Sequence, residues 1–158
     1  MATTEELKQI ILMGYLTEEM LEKIVPIVDL LRYEEQDVIF KQGDEADRFY
    51  MLKRGKVLLE HKISDKIAVY VGAVTPGFSF GWSAMLGDEQ YASDAVCEEP
   101  CEIFSMQSEK VLKLFERDHT LGYLISQRLI RIIKKRLDAR TEQFVTLITH
   151  HPDMRHLF

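Results

Sequence analysis

The stretch Phe78-Ser79-Phe80-Gly81-Trp82-Ser83-Ala84-Met85-Leu86-Gly87 points most directly to chemistry in this chain. A glycine opens a turn of helix-compatible residues and a second glycine closes it, and the unpaired N–H groups at a helix start favour an anion. Trp82 adds an aromatic face for stacking, and Ser93 adds a hydroxyl a short way on. Metal chemistry has less to work with. Of His61, His119, His150, His151 and His156, only His61 falls among strand-like segments, whereas a metal-dependent β-roll enzyme needs several inward ligands. Cys97 and Cys101 form a lone C-x3-C where a structural zinc site wants four ligands. We read them as free thiols beside a turn, with a redox pair as the alternative. A catalytic triad is a spatial arrangement, and spacing identifies no nucleophile and base here. The expectation is a chain without enzymatic activity, metal or resident cofactor.

A second feature is basic: Arg128, Arg131, Lys134, Lys135, Arg136 and Arg140. On a helical wheel most of them lie away from the apolar half, as a solvated face does. Arg128, Arg131 and Lys135 flank the apolar edge and are the ones placed to reach a pocket.

These residues need elements to position them. Thr3 with Glu6 forms a capping-box pattern ahead of Leu7, Ile10 and Ile11, and Gly14 breaks that helix. Thr17 suits the N-cap of a second helix that Pro26 bends or ends. Helical spacing thus covers residues 1–32. From residue 33 to 106 the chain turns to short runs punctuated by Gly, Asp and Pro every 8–12 residues or so, the rhythm of antiparallel sandwiches and barrels. The expected strands are Tyr33–Phe40, Phe49–Lys53, Lys56–Lys62, Ile67–Ala73, Ala92–Cys97 and Cys101–Met106. Residues 107–149 return to helix, first Ser108–Arg117 and then a long segment from Thr120. The apolar residues of that long helix spread over about 180° of its surface, more than one-sided packing needs. Two partners are implied, one of them the same helix of a second subunit over residues 120–148. We expect one domain over residues 1–149 and a tail over 150–158.

Composition bounds the class. The chain has 158 residues, 46% of them hydrophobic, 29% charged and only four proline, which suits an ordinary globular protein rather than a disordered one. Twenty basic against 26 acidic residues give −6, which argues against the broad basic footprint of a nucleic-acid binder. The longest apolar run, Ile10-Ile11-Leu12-Met13, is far short of a membrane span. With no signal-peptide pattern at the N-terminus, a cytoplasmic location is expected, without membrane partners.

Val38-Ile39-Phe40, Gly43-Asp44, Ala46-Asp47, Phe49-Tyr50 and the hairpin Gly55, followed by Phe80-Gly81 and Val96, resemble the cyclic nucleotide-binding domain, as in the sensor half of CRP/FNR regulators. The resemblance covers roughly residues 15–148. It implies a mainly β fold with helices: a double-stranded β-helix or jelly-roll β-roll with N-terminal helices and a long C-terminal helix. It also implies a small-molecule pocket and dimerisation through the final helix. In that family a Glu after the Phe-Gly holds the ribose hydroxyl, and an Arg further along pairs with the cyclic phosphate. Here Trp82 stands at the Glu position, and Gln90 or Tyr91 at the Arg position, depending on the loop Gly87-Asp88-Glu89. Each charge-assisted bond is worth about 1.5–3 kcal/mol, so losing both weakens a cyclic nucleotide by roughly 10²–10⁴-fold.

The expected pocket is therefore Phe80, Gly81, Trp82, Ser83, Ala84, Gln90, Tyr91, Ala92 and Ser93, with Arg128 and Arg131 from the helix. Its candidate effectors are a cyclic nucleotide or another small anionic or aromatic molecule. The family's transcription factors continue into a helix-turn-helix, whereas only Thr149–Phe158 follow the helix here, so no DNA partner is expected. Two functions fit: a sensor that relays an effector through the terminal helix to an unidentified downstream protein, or a ligand-free dimerisation or docking module with Trp82 plugging the pocket.

Overall fold

The computed structural model describes residues 1–157; for residues 155 and 156 it describes the backbone alone, so the side chain of His156 and the end of the 150–158 tail lie outside the described residues. The chain divides into two compact units, Met1–Gly122 and the chain from Tyr123 onward.

The first unit opens with α1 (Thr4–Lys8) and α2 (Glu18–Ile24). Thr3 and Glu6 cap each other's backbone reciprocally, and the Thr17 hydroxyl accepts the Met20 N–H. The Lys53 ammonium lies 2.8 Å from the Glu6 carboxylate, which ties α1 to the roll. Pro26 sits in a single 3-10 turn, Val25–Ile27.

The roll then begins earlier than the helical pattern suggests. Residues 28–32, expected within the helical lead-in, join Tyr33 in β1 (Val28–Tyr33), because all six residues of that strand pair antiparallel with Cys101–Met106. The expected strand Tyr33–Phe40 also breaks. Gln36 adopts φ 70°, and a turn there separates β1 from β2 (Val38–Phe40), which lies in the other sheet.

Six more strands follow: β3 (Arg48–Arg54), β4 (Val57–Ser64), β5 (Ile67–Val74), β6 (Ser79–Phe80), β7 (Asp94–Cys97) and β8 (Cys101–Gln107). They form two four-stranded sheets, ordered β1-β8-β3-β6 and β2-β7-β4-β5, with every pairing antiparallel. This is the expected mainly β fold with helices. The central strands read as apolar runs since both their faces are covered: Phe49, Tyr50, Met51 and Leu52 of β3 are all buried, as are Ile103, Phe104 and Met106 of β8. The β4–β5 hairpin differs, and its outer residues 61–70 are exposed throughout.

β7 passes to β8 through Glu98-Glu99-Pro100, flanked by the buried free thiols Cys97 and Cys101. Gly55 makes that corner fit. At its φ of 97°, a Cβ would come within 2.6 Å of both the Cys101 sulfur and the Pro100 carbonyl oxygen. α3 (Ser108–Arg117) follows β8 directly, and the Asp118 carboxylate accepts the Leu121 N–H at 3.0 Å while pairing with Lys23 at 2.8 Å.

α4 (His119–Thr149) starts in the first unit and makes up most of the second. Thr149 hands over to a final 3-10 stretch, Pro152–Leu157. Along α4, Tyr123 (64%), Leu137 (62%), Phe144 (63%) and Leu147 (72%) expose their side chains. Among the described residues, no helix is long and apolar enough to cross a membrane.

Candidate functional site

The segment between β6 and β7 is built as its glycines require. Gly81 takes φ 72° and opens one 3-10 turn, Trp82–Met85. A Cβ at Gly81 would stand 3.0 Å from the Tyr50 ring, 3.3 Å from the Arg48 carbonyl oxygen and 3.4 Å from the Tyr91 ring. The close approach demands glycine as much as the dihedral does. The turn's far end is fastened to α3, where the Ser108 hydroxyl donates to the buried Ala84 carbonyl. The Ser108 N–H in turn donates to the Asp47 carbonyl.

Behind Gly81 lies a cluster of four rings. Tyr91 stacks on Phe40 with centroids 3.8 Å apart and planes 14° from parallel. Phe40 also meets Tyr50 at 5.6 Å and Phe80 at 6.0 Å, and Tyr50 stacks on Phe80 at 5.3 Å. All four are buried. The Tyr91 hydroxyl donates to the Arg48 carbonyl at 2.7 Å and accepts the Arg48 N–H at 3.1 Å. One phenol thereby satisfies both main-chain groups of a β3 residue, as a neighbouring strand would. Burial raises the Tyr91 phenol above its ordinary range, and it does the same to Tyr50, with Tyr91 adding to the rise. Both stay neutral hydrogen-bonding groups at physiological pH. The Arg48 guanidinium points elsewhere, to the Asp29 carboxylate at 3.1 Å and the Ser105 hydroxyl at 2.8 Å.

The start of β7 is held separately. Asp94 is buried, accepts the Gln42 N–H at 2.7 Å and lies 3.1 Å from the Lys62 ammonium. Burial pushes its carboxyl up, but the Gln42 N–H and Lys62 outweigh that and hold it below the usual range. The Gln42 amide exchanges two hydrogen bonds with the Lys62 main chain, and the His61 Nδ1 and the Ala92 carbonyl are 2.9 Å apart.

The sequence-derived candidates thus divide. Phe80, Ala84 and Tyr91 are buried; Gly81, Trp82 and Ser83 are half-buried; Gln90 and Ala92 are exposed, and Ser93 is half-buried. Of the two candidates for the Arg position, Tyr91 turns inward, while Gln90 forms a ladder rung with Glu45 at the surface. The Trp82 indole N–H donates to Ser79 at 3.2 Å, and the rings that fill the space behind Gly81 are Tyr91, Tyr50, Phe40 and Phe80. Arg128 and Arg131 belong to the second unit, Arg128 half-buried and Arg131 exposed.

Phe40, Tyr50 and Arg48, which complete the cluster, sit on other strands, so no local spacing marks them as part of the site. The cleft beside it, about 560 Å³, is lined by Asp47, Arg48, Gly87, Asp88 and Ser108 among others, and by none of the expected pocket residues.

Comparison with known proteins places this geometry. Residues 30–118 match the family model for the cyclic nucleotide-binding domain. The cGMP-dependent protein kinase egl-4 of Caenorhabditis briggsae is 28% identical over 110 residues, which are 68% of this chain and 15% of the kinase. The chain therefore spans a small part of that relative's length. A solved structure of a Geobacter metallireducens GS-15 protein is 26% identical, with a TM-score of 0.77 over 87% of this chain and 99% of that one. The catabolite activator protein of Thermus thermophilus shares the fold, at 24% identity and a TM-score of 0.72 over 86% of this chain and 62% of that one.

Proposed function

The chain belongs to the cyclic nucleotide-binding domain family, and from that premise we propose a non-catalytic regulatory module whose roll does not grip cyclic nucleotides. Its output is carried by self-association through α4. One observation carries this reading. Where the resemblance calls for a phosphate-pairing guanidinium, Tyr91 is stacked on Phe40 with its hydroxyl committed to both main-chain groups of Arg48.

A ligand entering there has to break two hydrogen bonds and a ring stack. Trp82 in place of the ribose-binding carboxylate offers no charge-assisted bond in return. The affinity for cyclic AMP and cyclic GMP is accordingly high-micromolar or weaker. The half-exposed rim of Gly81, Trp82 and Ser83 supports a second reading, a sensor whose aromatic or anionic effector displaces Tyr91 and is relayed through α4 to a downstream protein.

Calorimetry on the wild-type protein tests the first reading, and a submicromolar constant for either nucleotide defeats it. The double variant Trp82→Glu, Tyr91→Arg restores the family's two grips. A folded double variant, checked by circular dichroism, that gains tenfold or more, about 1.4 kcal/mol, indicates a roll that kept its shape and lost its grips. A folded variant that gains nothing indicates a roll closed by repacking. Mass spectrometry of natively purified protein decides the sensor reading, which fails if no small molecule accompanies the chain.

A further inference from the structure

The chain has two cysteines, and the fold brings them together at the corner where one sheet hands over to the other. β7 ends at Cys97 in the sheet of β2, β4 and β5, and β8 begins at Cys101 in the sheet of β1, β3 and β6. The three residues between them, Glu98, Glu99 and Pro100, are exposed, whereas Cys97 is 0% and Cys101 3% exposed. Both are free thiols. The Lys56 carbonyl holds the corner, accepting the Glu98 N–H at 2.9 Å and the Cys101 S–H at 3.5 Å, and the Cys101 S–H also reaches the Glu99 carbonyl at 3.1 Å. The missing side chain of Gly55 leaves the room that the Cys101 sulfur occupies. Across this corner the two thiols are within hydrogen-bonding reach of each other.

Two thiols in contact can hold a soft metal ion or join as a disulfide. A metal would take both as thiolates, and the corner opposes that charge. Burial, the hydrogen bond with Cys101 and the Asp37 carboxylate push the Cys97 thiol up to about 12. A disulfide is neutral and replaces two neutral thiols, so it brings no charge into the corner. Drawing the sulfurs from hydrogen-bonding reach to the roughly 2.05 Å of an S–S bond is a short movement, which side-chain rotation and the exposed turn can supply.

We propose that Cys97 and Cys101 are a modification site, oxidised by a low-molecular-weight disulfide to an internal disulfide that staples the two sheets at this corner. Cys101 adjoins the exposed turn, so its thiolate attacks first when the corner opens locally. It breaks the S–S bond of the small disulfide, forms a mixed disulfide and expels one small thiolate. Cys97 then gives up its proton and attacks the Cys101 sulfur, forming the internal S–S bond and expelling the second thiolate. The two cysteines lose two electrons and two protons between them, and the oxidant leaves as two thiols. In the closed corner Cys97 stays a buried thiol, so oxidation waits on opening. Once formed, the staple opposes the next opening. β7 starts at Asp94, three residues after Tyr91, so the staple ties down the far end of the segment whose near end fills the space behind Gly81.

The test incubates the reduced full chain with oxidised glutathione, quenches with acid, and reads intact mass and a non-reducing gel. The expected product is a single chain lighter by two hydrogen atoms. It should form at least about tenfold faster in urea just below the unfolding transition than in buffer, because opening limits the reaction. Its urea midpoint is expected above that of the reduced chain, and dithiothreitol should return both mass and midpoint. Cys97→Ser is expected to stop with one glutathione on Cys101, and Cys101→Ser to take up glutathione at least about tenfold more slowly. Circular dichroism checks that each variant folds, and the wild-type measurements decide the proposal where one does not. Wild-type thiols that both stay free in urea below the transition, a lasting glutathione adduct, or a disulfide between two copies overturns the internal pair. An unchanged midpoint overturns the staple. Equal rates in buffer and urea overturn the dependence on opening, and equal rates in the two variants overturn the order of attack.

Discussion

The ring cluster behind Gly81 and the exposed apolar column of α4 are both rich in large apolar side chains, and they treat them in opposite ways. In the first unit Phe40, Tyr50, Phe80 and Tyr91 are buried and mutually packed, with the Tyr91 hydroxyl satisfied by a main-chain donor and acceptor. In the second, Tyr123, Ile130, Leu137 and Phe144 stand exposed in a regular column. A pocket advertises itself through unsatisfied polar groups and empty space, and an interface through unsatisfied apolar surface. The cluster lacks the marks of the first, while α4 carries those of the second. The difference teaches that one chain can close its roll around packed rings and still leave a regular apolar column exposed on its long helix.

The sharpest way to break the comparison is to delete one large side chain from each region. Phe80→Ala removes a fully buried ring and is expected to cost about 3–5 kcal/mol. Leu137→Ala, at an exposed site, is expected to change the unfolding free energy of the monomer by about 0.5 kcal/mol or less. Urea unfolding at concentrations low enough to keep the chain monomeric reads both. Equal losses would mean that Leu137 is already covered within one copy, and the contrast between the two regions would dissolve.

Much of this frame is legible in the residues themselves. The Thr3–Glu6 box and the Thr17 cap are local grammar, and both appear where the residues stand. The turn at Gly55 reads correctly because its positive φ leaves few alternatives to glycine. Residues 28–32 read as helix because Val28 and Leu31 continue a helix-compatible spacing from Ile24. What makes them a strand is a partner about seventy residues away, at Cys101–Met106, and no local window contains it. The site divides in the same manner. Gln90 or Tyr91 is visible as a replacement at the Arg position, but the inward turn of Tyr91 depends on Phe40 of β2 and on Tyr50 and the Arg48 main chain of β3.

A subtler test isolates the hydroxyl of Tyr91. Tyr91→Phe keeps the ring and its stack on Phe40 but leaves the Arg48 N–H and carbonyl without the partner that satisfied both. The expected loss is about 1–3 kcal/mol, again by urea unfolding. A neutral substitution would mean that the ring alone closes the roll, and that the phenol is incidental.

The smallest effect expected concerns pH, and it probes the strand that carries Tyr91 into place. Asp94 begins β7 three residues later, and its carboxyl is held below the ordinary carboxylate range by the Gln42 N–H and Lys62, which together outweigh its burial. A carboxyl whose folded pKa is depressed releases its proton more readily in the folded chain than in the unfolded one. Its stabilising contribution is therefore complete above the unfolded value and is lost as pH falls through the folded one. Unfolding free energies measured from about pH 5 down to about pH 2 should thus decline more steeply for the wild type than for Asp94→Asn, which lacks the titrating group. Other depressed carboxyls, Glu6, Glu102 and Asp118 among them, decline in both proteins, so the difference between the two curves isolates Asp94. Lys62→Met should remove part of the same difference, because the ammonium 3.1 Å away is one of the groups that hold the carboxylate. Parallel curves for wild type and Asp94→Asn would show that β7 is anchored by its ladders to β2 and β4 alone, and that the ion pair beside the cluster contributes nothing to holding it shut.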